Sequence, residues 1–118
     1  MTPGAAPEGL DQIHNEIRLS AQWVEQAALR YTPAGMPALD LTLEHHGQAI
    51  EAGFPRQVEL RIRAVALGDL ARKLQQWPAS EPALWTGFLA PARNGKGVVM
   101  HITAVEASPV QPTPTLSS

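Results

Sequence analysis

The stretch YTPAGMPALDLTLEHHG, residues Tyr31–Gly47, holds a turn followed by strict alternation of apolar and polar side chains. Proline and glycine in Thr32–Pro37 favour a turn, because proline fixes one backbone angle and glycine accepts positive φ. From Leu39 to Leu43, a leucine at every second position places all three leucines on one face of a strand. The stretch therefore predicts a turn leading into a strand, Ala38–His46, with one face on a core and the other in solvent.

The same alternation occurs on both sides of this stretch. Apolar residues occupy the odd positions of Ile17–Glu25 up to position 23, and the even positions of Gln57–Val65, so both segments predict half-buried strands. The intervening segment, Gly47–Pro55, predicts a looser loop. Ala83–Ala90 is apolar at nearly every residue, which predicts a strand that is covered on both faces or curled at Gly87, where the missing side chain permits a bulge.

The period changes after the third strand. From Leu67 to Trp77 apolar residues recur at three- and four-residue steps, with Gly68 and Asp69 at the start and Pro78 at the end, so an amphipathic helix is predicted. Asn-Gly within Arg93–Gly97 predicts a tight hairpin, and a fifth strand follows at 98–106. This order predicts an all-β fold, a five-stranded OB-fold barrel with one short helix between strands three and four. A sandwich or a helix packed on a sheet would produce similar periodicities.

Composition limits the classes of protein that the chain can belong to. Its 118 residues suffice for one domain, predicted at 14–107 between a flexible N-terminal tail, 1–13, and a flexible proline-rich C-terminal tail, 108–118. Cysteine is absent, and no stretch has the pattern of a signal peptide or a membrane span, so a cytoplasmic protein without membrane association is expected. The predicted domain carries nine acidic and nine basic residues, so any nucleic-acid site must be a local concentration of cations.

An OB barrel binds its ligand across the second and third strands, between the loop that joins strands one and two and the hairpin that joins strands four and five. In this chain those places carry the cations and aromatic side chains with which single-strand binders follow phosphates and stack on bases. The predicted DNA-binding residues are Arg30, Tyr31, His46, Phe54, Arg56, Arg93 and Lys96.

Several residues have structural interpretations as well. Arg61 and Arg63 have Glu44 and Glu59 as cross-strand candidates, which favours ion pairs over ligand contacts. Phe54 either plugs one end of the barrel or stacks on a base.

The tryptophans divide in a similar way. Trp23 and Trp77 share the parity of their apolar neighbours and are predicted to lie in the core. Trp85 lies in a strand without a polar face, so it is predicted either in a deeper core or under a partner subunit.

Metal binding and catalysis are not expected. His45 and His46 are adjacent on a strand and point to opposite faces, so they do not readily join His101 in one metal site. Ser20 has no base at a recognisable spacing, and no glycine-rich phosphate loop precedes a helix. No cofactor and no enzymatic activity are predicted.

Five short motifs together resemble the primosomal replication protein N (PriB) family, from about residue 15 to residue 106. They are TPAGMP at 32–37, LEH at 43–45, EAGF at 51–54, RQ at 56–57 and the Asn-Gly hairpin leading to His101. The resemblance implies a homodimeric OB-fold related to bacterial single-stranded DNA-binding proteins. It further implies binding to single-stranded DNA and to the primosomal helicase and other primosome proteins, which promotes reloading of the replicative helicase at stalled forks.

Carried over onto this sequence, the resemblance places Arg30 in the first ligand loop, Phe54 near the groove and Arg93 on the hairpin, with His46 where the family has an arginine. Two departures weaken the expected DNA binding. Glu59 stands where the family has a base-stacking tryptophan, a loss of about 1 to 3 kcal/mol for one base. The hairpin also carries fewer lysines. A protein-interaction adapter with little DNA affinity is therefore the alternative, and a sugar- or peptide-binding OB module has only the analogy of fold.

Overall fold

A computed structural model describes residues 13–79 and 81–107 of the chain. These described residues form six strands and one helix: β1 (Ile17–Gln26), β2 (Arg30–Tyr31), β3 (Pro37–Glu51), β4 (Phe54–Leu67), α1 (Asp69–Gln75), β5 (Ala83–Pro91) and β6 (Val98–Ala107). The predicted C-terminal tail and all of the predicted N-terminal tail except Ile13 lie outside the described residues.

The five long strands close into a barrel. They are hydrogen-bonded in the order β1-β5-β6-β4-β3, and β1 also pairs with β3, so that the sheet returns to its starting strand. All neighbours are antiparallel except β4 and β6, which run parallel. This closure confirms the predicted five-stranded barrel. The predicted helix lies between β4 and β5, because the two residues of β2, predicted as loop, form an additional short strand against β3.

The barrel interior is filled by the residues that the alternation placed inward. Leu39, Leu41 and Leu43 of β3 are almost completely buried, and Ala64 and Ala66 face them from β4. Burying a leucine side chain contributes about 1.5 to 3 kcal/mol relative to leaving it exposed, so the three leucines of the opening stretch are a main source of stability. Helix α1 begins after Gly68, which has a positive φ of 75°, and packs Ala71 and Leu74 against β3 and β4.

Trp85 and Gly87 explain how the apolar strand β5 fits between its neighbours. Trp85 is fully buried and its indole N–H donates to the carbonyl of Ala21, so the deeper core, one of the two interpretations open from sequence, is correct. The register of β5 against β6 shifts between Thr86 and Gly87. A Cβ at Gly87 would collide with the carbonyl oxygen of His101, so glycine is needed where the two strands approach.

Trp23 and Trp77 lie at the edge of the core. Both are partly buried against it, and the indole N–H of Trp23 donates to the carbonyl of Trp77 at 2.8 Å. The Trp77 ring also meets Trp85 edge-on, at 6.4 Å between ring centroids. The prediction that both residues lie in the core is therefore confirmed, and each of them is partly buried against it.

The predicted loose loop at 47–55 is wrong. β3 and β4 stay paired as far as Glu51 and Phe54, and Ala52 and Gly53 turn the chain at positive φ angles of 53° and 84°. Within residues 45–60 the two strands pair only with each other among the described strands, so this hairpin, here called the arm, projects from the barrel. The alternation continues into the arm, but the turn is tighter than its glycines and proline suggested.

Candidate nucleic-acid interface

An open cleft of about 1170 Å³ lies on the outer face of the barrel. Its floor is the solvent side of β3 and β4, and its walls are the segment between β1 and β3 and the hairpin between β5 and β6. These are the places that an OB barrel uses for its ligand. The charged and polar residues on which its chemistry depends are Glu25, Arg30, Asp40, Arg63, Arg93 and Lys96.

Arg30 is fixed at one wall by a bidentate contact with Asp40. Its Nε and Nη2 donate to the two carboxylate oxygens at 2.7 and 3.1 Å, a geometry that suits the planar guanidinium. This contact holds the pKa of Asp40 below its ordinary value, and the charges of Arg93 and Arg63 lower it further. The same pairing raises the pKa of Arg30. All three arginines therefore stabilise the negative charge of the Asp40 carboxylate.

Arg93 and Lys96 stand on the opposite wall, in the hairpin between β5 and β6. The amide of Lys96 donates to the side-chain oxygen of Asn94, and Gly95 has a positive φ of 76° that the turn requires. The predicted Asn-Gly turn is thus confirmed. Because the turn is short and internally hydrogen-bonded, it holds two cations across the cleft from Arg30.

Arg63 completes the cationic lining and had been predicted as an ion-pair residue. That prediction is correct for Arg61, whose Nε donates to Glu44 at 3.0 Å. It is wrong for Arg63, which lies opposite Thr42 in the register, lines the cleft and has no carboxylate within 4 Å among the residues that the structure describes. The sequence offered no signal for this, because Arg61 and Arg63 lie on the same strand face and only the register pairs Arg63 with Thr42.

His46 and Arg56, both predicted to contact DNA, lie in the arm and are neutralised there. Nε2 of His46 lies 3.2 Å from Glu44 and Nδ1 lies 3.6 Å from Glu59, and the contact with Glu44 raises the pKa of the imidazole above 6.5. Nη1 of Arg56 lies 2.6 Å from Glu51. These cations are therefore already paired with carboxylates before any ligand arrives.

The two predicted aromatic residues occupy separate places. Phe54, at the tip of the arm, is 72% exposed, so the interpretation of this side chain as a barrel plug is wrong. Tyr31 does not line the cleft; the guanidinium of Arg72 on α1 lies 6.0 Å from the centre of its ring. The structure thus brings Arg30, Arg93 and Lys96 together, and places Phe54 and Tyr31 elsewhere. Whether each contacts DNA stays a prediction.

The histidines point apart, as predicted. Nδ1 of His45 lies 2.7 Å from the carbonyl oxygen of Ser20, whereas His46 faces Glu44 on the other side of the strand. Within residues 13–79 and 81–107, no three histidine or carboxylate side chains are grouped as a metal site requires. No helix in the same ranges has the length and hydropathy to cross a bilayer.

The closed barrel and its cation-lined outer cleft define the class of single-strand binding OB proteins, and comparison with known proteins agrees with that class. A family described as another single-strand binding protein family matches residues 15–104. Replication restart protein PriB of Bordetella pertussis is 54% identical over 80 residues, which cover 68% of this chain and 75% of the relative. Replication restart protein PriB of Nitrosomonas europaea is 30% identical over 103 residues, which cover 86% of this chain and 94% of the relative.

A solved structure of PriB from Ralstonia solanacearum has a TM-score of 0.74 to this chain at 39% sequence identity, and covers 80% of this chain and 98% of its own. The chain belongs to the PriB family, a branch of the single-strand binding proteins. The resemblance found in the short motifs is confirmed.

Proposed function

We propose that the chain binds single-stranded DNA in the cleft and acts as an accessory protein of replication restart. The observation that carries the proposal is the convergence of Arg30, Arg63, Arg93 and Lys96, from three separate segments, on one cleft in a domain whose charges balance overall. The name that the relatives share, replication restart protein, supports the cellular process.

The arrangement suits a single strand better than a duplex. The cations line two walls and the floor of a concave surface, so phosphates can follow the walls while bases turn toward the strands. Two carboxylates, Glu25 and Asp40, lie in the same cleft and reduce its positive potential. Two to four phosphate contacts are therefore expected, with a slope of log affinity against log salt of about −1.5 to −3.

The first experiment is a fluorescence anisotropy titration of a labelled thymidine oligonucleotide at several salt concentrations. The wild-type chain is compared with the double variant Arg93→Ala/Lys96→Ala and with the control Lys73→Ala, an exposed cation on α1 outside the cleft. The double variant should bind more weakly with a salt slope reduced by about 1.4, and the control should match the wild type. Absence of wild-type binding at low salt would refute DNA binding by this chain.

A protein-interaction adapter with little DNA affinity is the second candidate, and the arm favours it. The arm carries Glu59 where the family has a stacking tryptophan, and its cations His46 and Arg56 are paired with carboxylates. We propose the primosomal helicase as the partner in either case, with reloading of the replicative helicase at stalled forks as the outcome. A helicase pull-down separates the candidates: if Arg93→Ala/Lys96→Ala keeps helicase binding and loses DNA binding, the first is supported.

We further propose a cytoplasmic homodimer. Ile17–Ala21 of β1 pairs only with β5 among the described strands, so its other edge is available to a second copy. β5, whose Trp85 the sequence allowed to lie under a partner subunit, is flanked on both sides by β1 and β6 and buries Trp85 in its own barrel. Sedimentation equilibrium at micromolar concentration should give the mass of two chains, and the mass of one would contradict the dimer.

A further inference from the structure

His101 and Phe88 form an aromatic stack on the outer face of the barrel. They lie opposite each other in the β5–β6 register, with ring centroids 5.1 Å apart and an angle of 10° between the ring planes. His101 lines the cleft and Phe88 does not, so the imidazole stands between Phe88 and the cleft. The motifs and the predicted ligand residues gave neither ring a role in binding.

The backbone around the pair fixes where the imidazole lies. In the parallel register of β4 and β6, His101 pairs with Val65, which also lines the cleft. The close approach of β5 and β6 at Gly87, which excludes any side chain there, sets the distance between the two strands at this point. The imidazole is thus held between two strands, with its ring backed by Phe88.

We propose that the His101–Phe88 pair is a base-stacking platform in the cleft, with His101 touching the base and Phe88 as the positioning residue behind it. This proposal rests on the proposed single-strand binding. An aromatic ring stacked on a second ring is rigid and offers its other side to a planar group, and base–aromatic stacking tolerates any sequence.

The charges around the pair support a base rather than a phosphate as the contact. Arg63 lines the floor of the same cleft and Arg93 and Lys96 line the hairpin wall, so phosphates have guanidinium and ammonium partners there. In the arm, by contrast, Glu59 lies beside His46. The His101–Phe88 pair supplies a stacking surface inside the cleft itself.

The test compares two labelled oligonucleotides of equal length, one of thymidines and one in which abasic residues replace the central bases. The variants are His101→Ala, His101→Phe and Phe88→Leu, with His14→Ala as a control histidine that does not line the cleft. His101→Ala should weaken binding to the thymidine strand about fivefold or more, and should leave binding to the abasic strand and the salt slope unchanged. His101→Phe should bind as the wild type does, and Phe88→Leu should fall between.

Three outcomes would overturn the platform. If His101→Ala binds the thymidine strand as tightly as the wild type does, while Arg93→Ala/Lys96→Ala loses binding, the platform is refuted and the proposed function stays intact. Equal losses on both oligonucleotides, or in His101→Phe as well, would show that the imidazole does not act by stacking. Absence of wild-type binding would refute platform and proposed function together.

Discussion

The cleft and the arm contain the same kinds of residue in opposite states of pairing. In the cleft, four cations from three segments face two carboxylates, and only Arg30 is held in an ion pair among the described residues. In the arm and at its base, His46, Arg56 and Arg61 each contact a glutamate within 4 Å. Cations without a partner raise the local potential that attracts phosphate, whereas paired cations contribute little at a distance.

The two regions also differ in what holds them. The cleft floor is the outer side of strands whose inner side is the core, so its side chains are positioned by buried leucines. The arm consists of two paired strands, and Ile50 and Phe54 are each 72% exposed there. Charge patterning along the sequence does not distinguish the two regions, since Arg61 and Arg63 lie on the same strand face.

The cleft floor and the arm should differ most in how much their apolar side chains contribute to the free energy of unfolding. β3 provides a matched pair of apolar residues to compare them. Leu43→Ala should lower the free energy of unfolding by about 2 to 5 kcal/mol, because it opens a cavity in the core. Ile50→Ala, on the same strand in the arm, should lower it by less than about 0.5 kcal/mol. Urea denaturation followed by tryptophan fluorescence measures both, and a large loss in Ile50→Ala would mean that the arm is covered in solution.

Replacement of each of the two arginines of β4 should affect DNA affinity to a different extent. Arg63→Ala should weaken binding to a thymidine oligonucleotide about fivefold and reduce the salt slope by about 0.7, the value for one phosphate contact. Arg61→Ala should change affinity by less than about twofold, because Glu44 already neutralises Arg61. Anisotropy titrations at three salt concentrations check both, and a reversed order would place the DNA on the arm.

Asp40→Asn should move stability and affinity in opposite directions. Loss of the ion pair should cost below about 1 kcal/mol at pH 7, while removal of a negative charge from the cleft should raise DNA affinity about twofold. Arg30 holds the pKa of Asp40 below its ordinary value of 3.8. The pair therefore stabilises the fold above pH 3.8, and the stabilisation is lost as pH falls through the lower folded pKa.

Acid denaturation of wild type and Asp40→Asn measures this effect. The difference in unfolding free energy between them should shrink as the pH falls below 3.8. A constant difference down to the lowest pH would show that Arg30 and Asp40 do not pair in solution.

The smallest expected effect is the titration of His46. Its pKa is raised above 6.5, chiefly by Glu44, so the protonated imidazole is stabilised in the folded chain. The contribution to stability is present below pH 6.5 and is lost as pH rises through the folded pKa. An NMR titration should show the raised pKa, and Glu44→Gln should bring it back toward 6.5. A pKa of His46 that Glu44→Gln leaves unchanged would contradict the contact.

Much of the barrel could be predicted because period-two alternation survives in every long strand except β5. The predicted starts at Ile17, Ala38, Ala83 and Val98 lie within one residue of the observed starts of β1, β3, β5 and β6. The extension of β3 and β4 into the arm was missed, since Gly47 and Pro55 are typical of loops and only pairing between the two strands keeps them extended. The two residues of β2 were missed because so short a strand carries no period.

The candidate site was predicted less completely than the fold. Arg30, Arg93 and Lys96 were placed correctly because loops of an OB barrel have known positions relative to its ligand face. An ion pair was predicted for Arg63 because Glu44 and Glu59 could each face it across neighbouring strands. The stack of His101 on Phe88 depends on the register shift at Gly87; the glycine predicted a bulge there, but no local pattern shows which residues pair across it.

The sequence by itself determined which side of each alternating strand is apolar, where most of the turns lie, and that the charges of the domain balance, since these follow from residue type and spacing. Only the tertiary structure decided which cations keep a carboxylate partner and which face the cleft without one. The physical reason is that ion pairing depends on distances of a few ångströms across neighbouring strands, and those distances are set by barrel closure and register rather than by the order of residues.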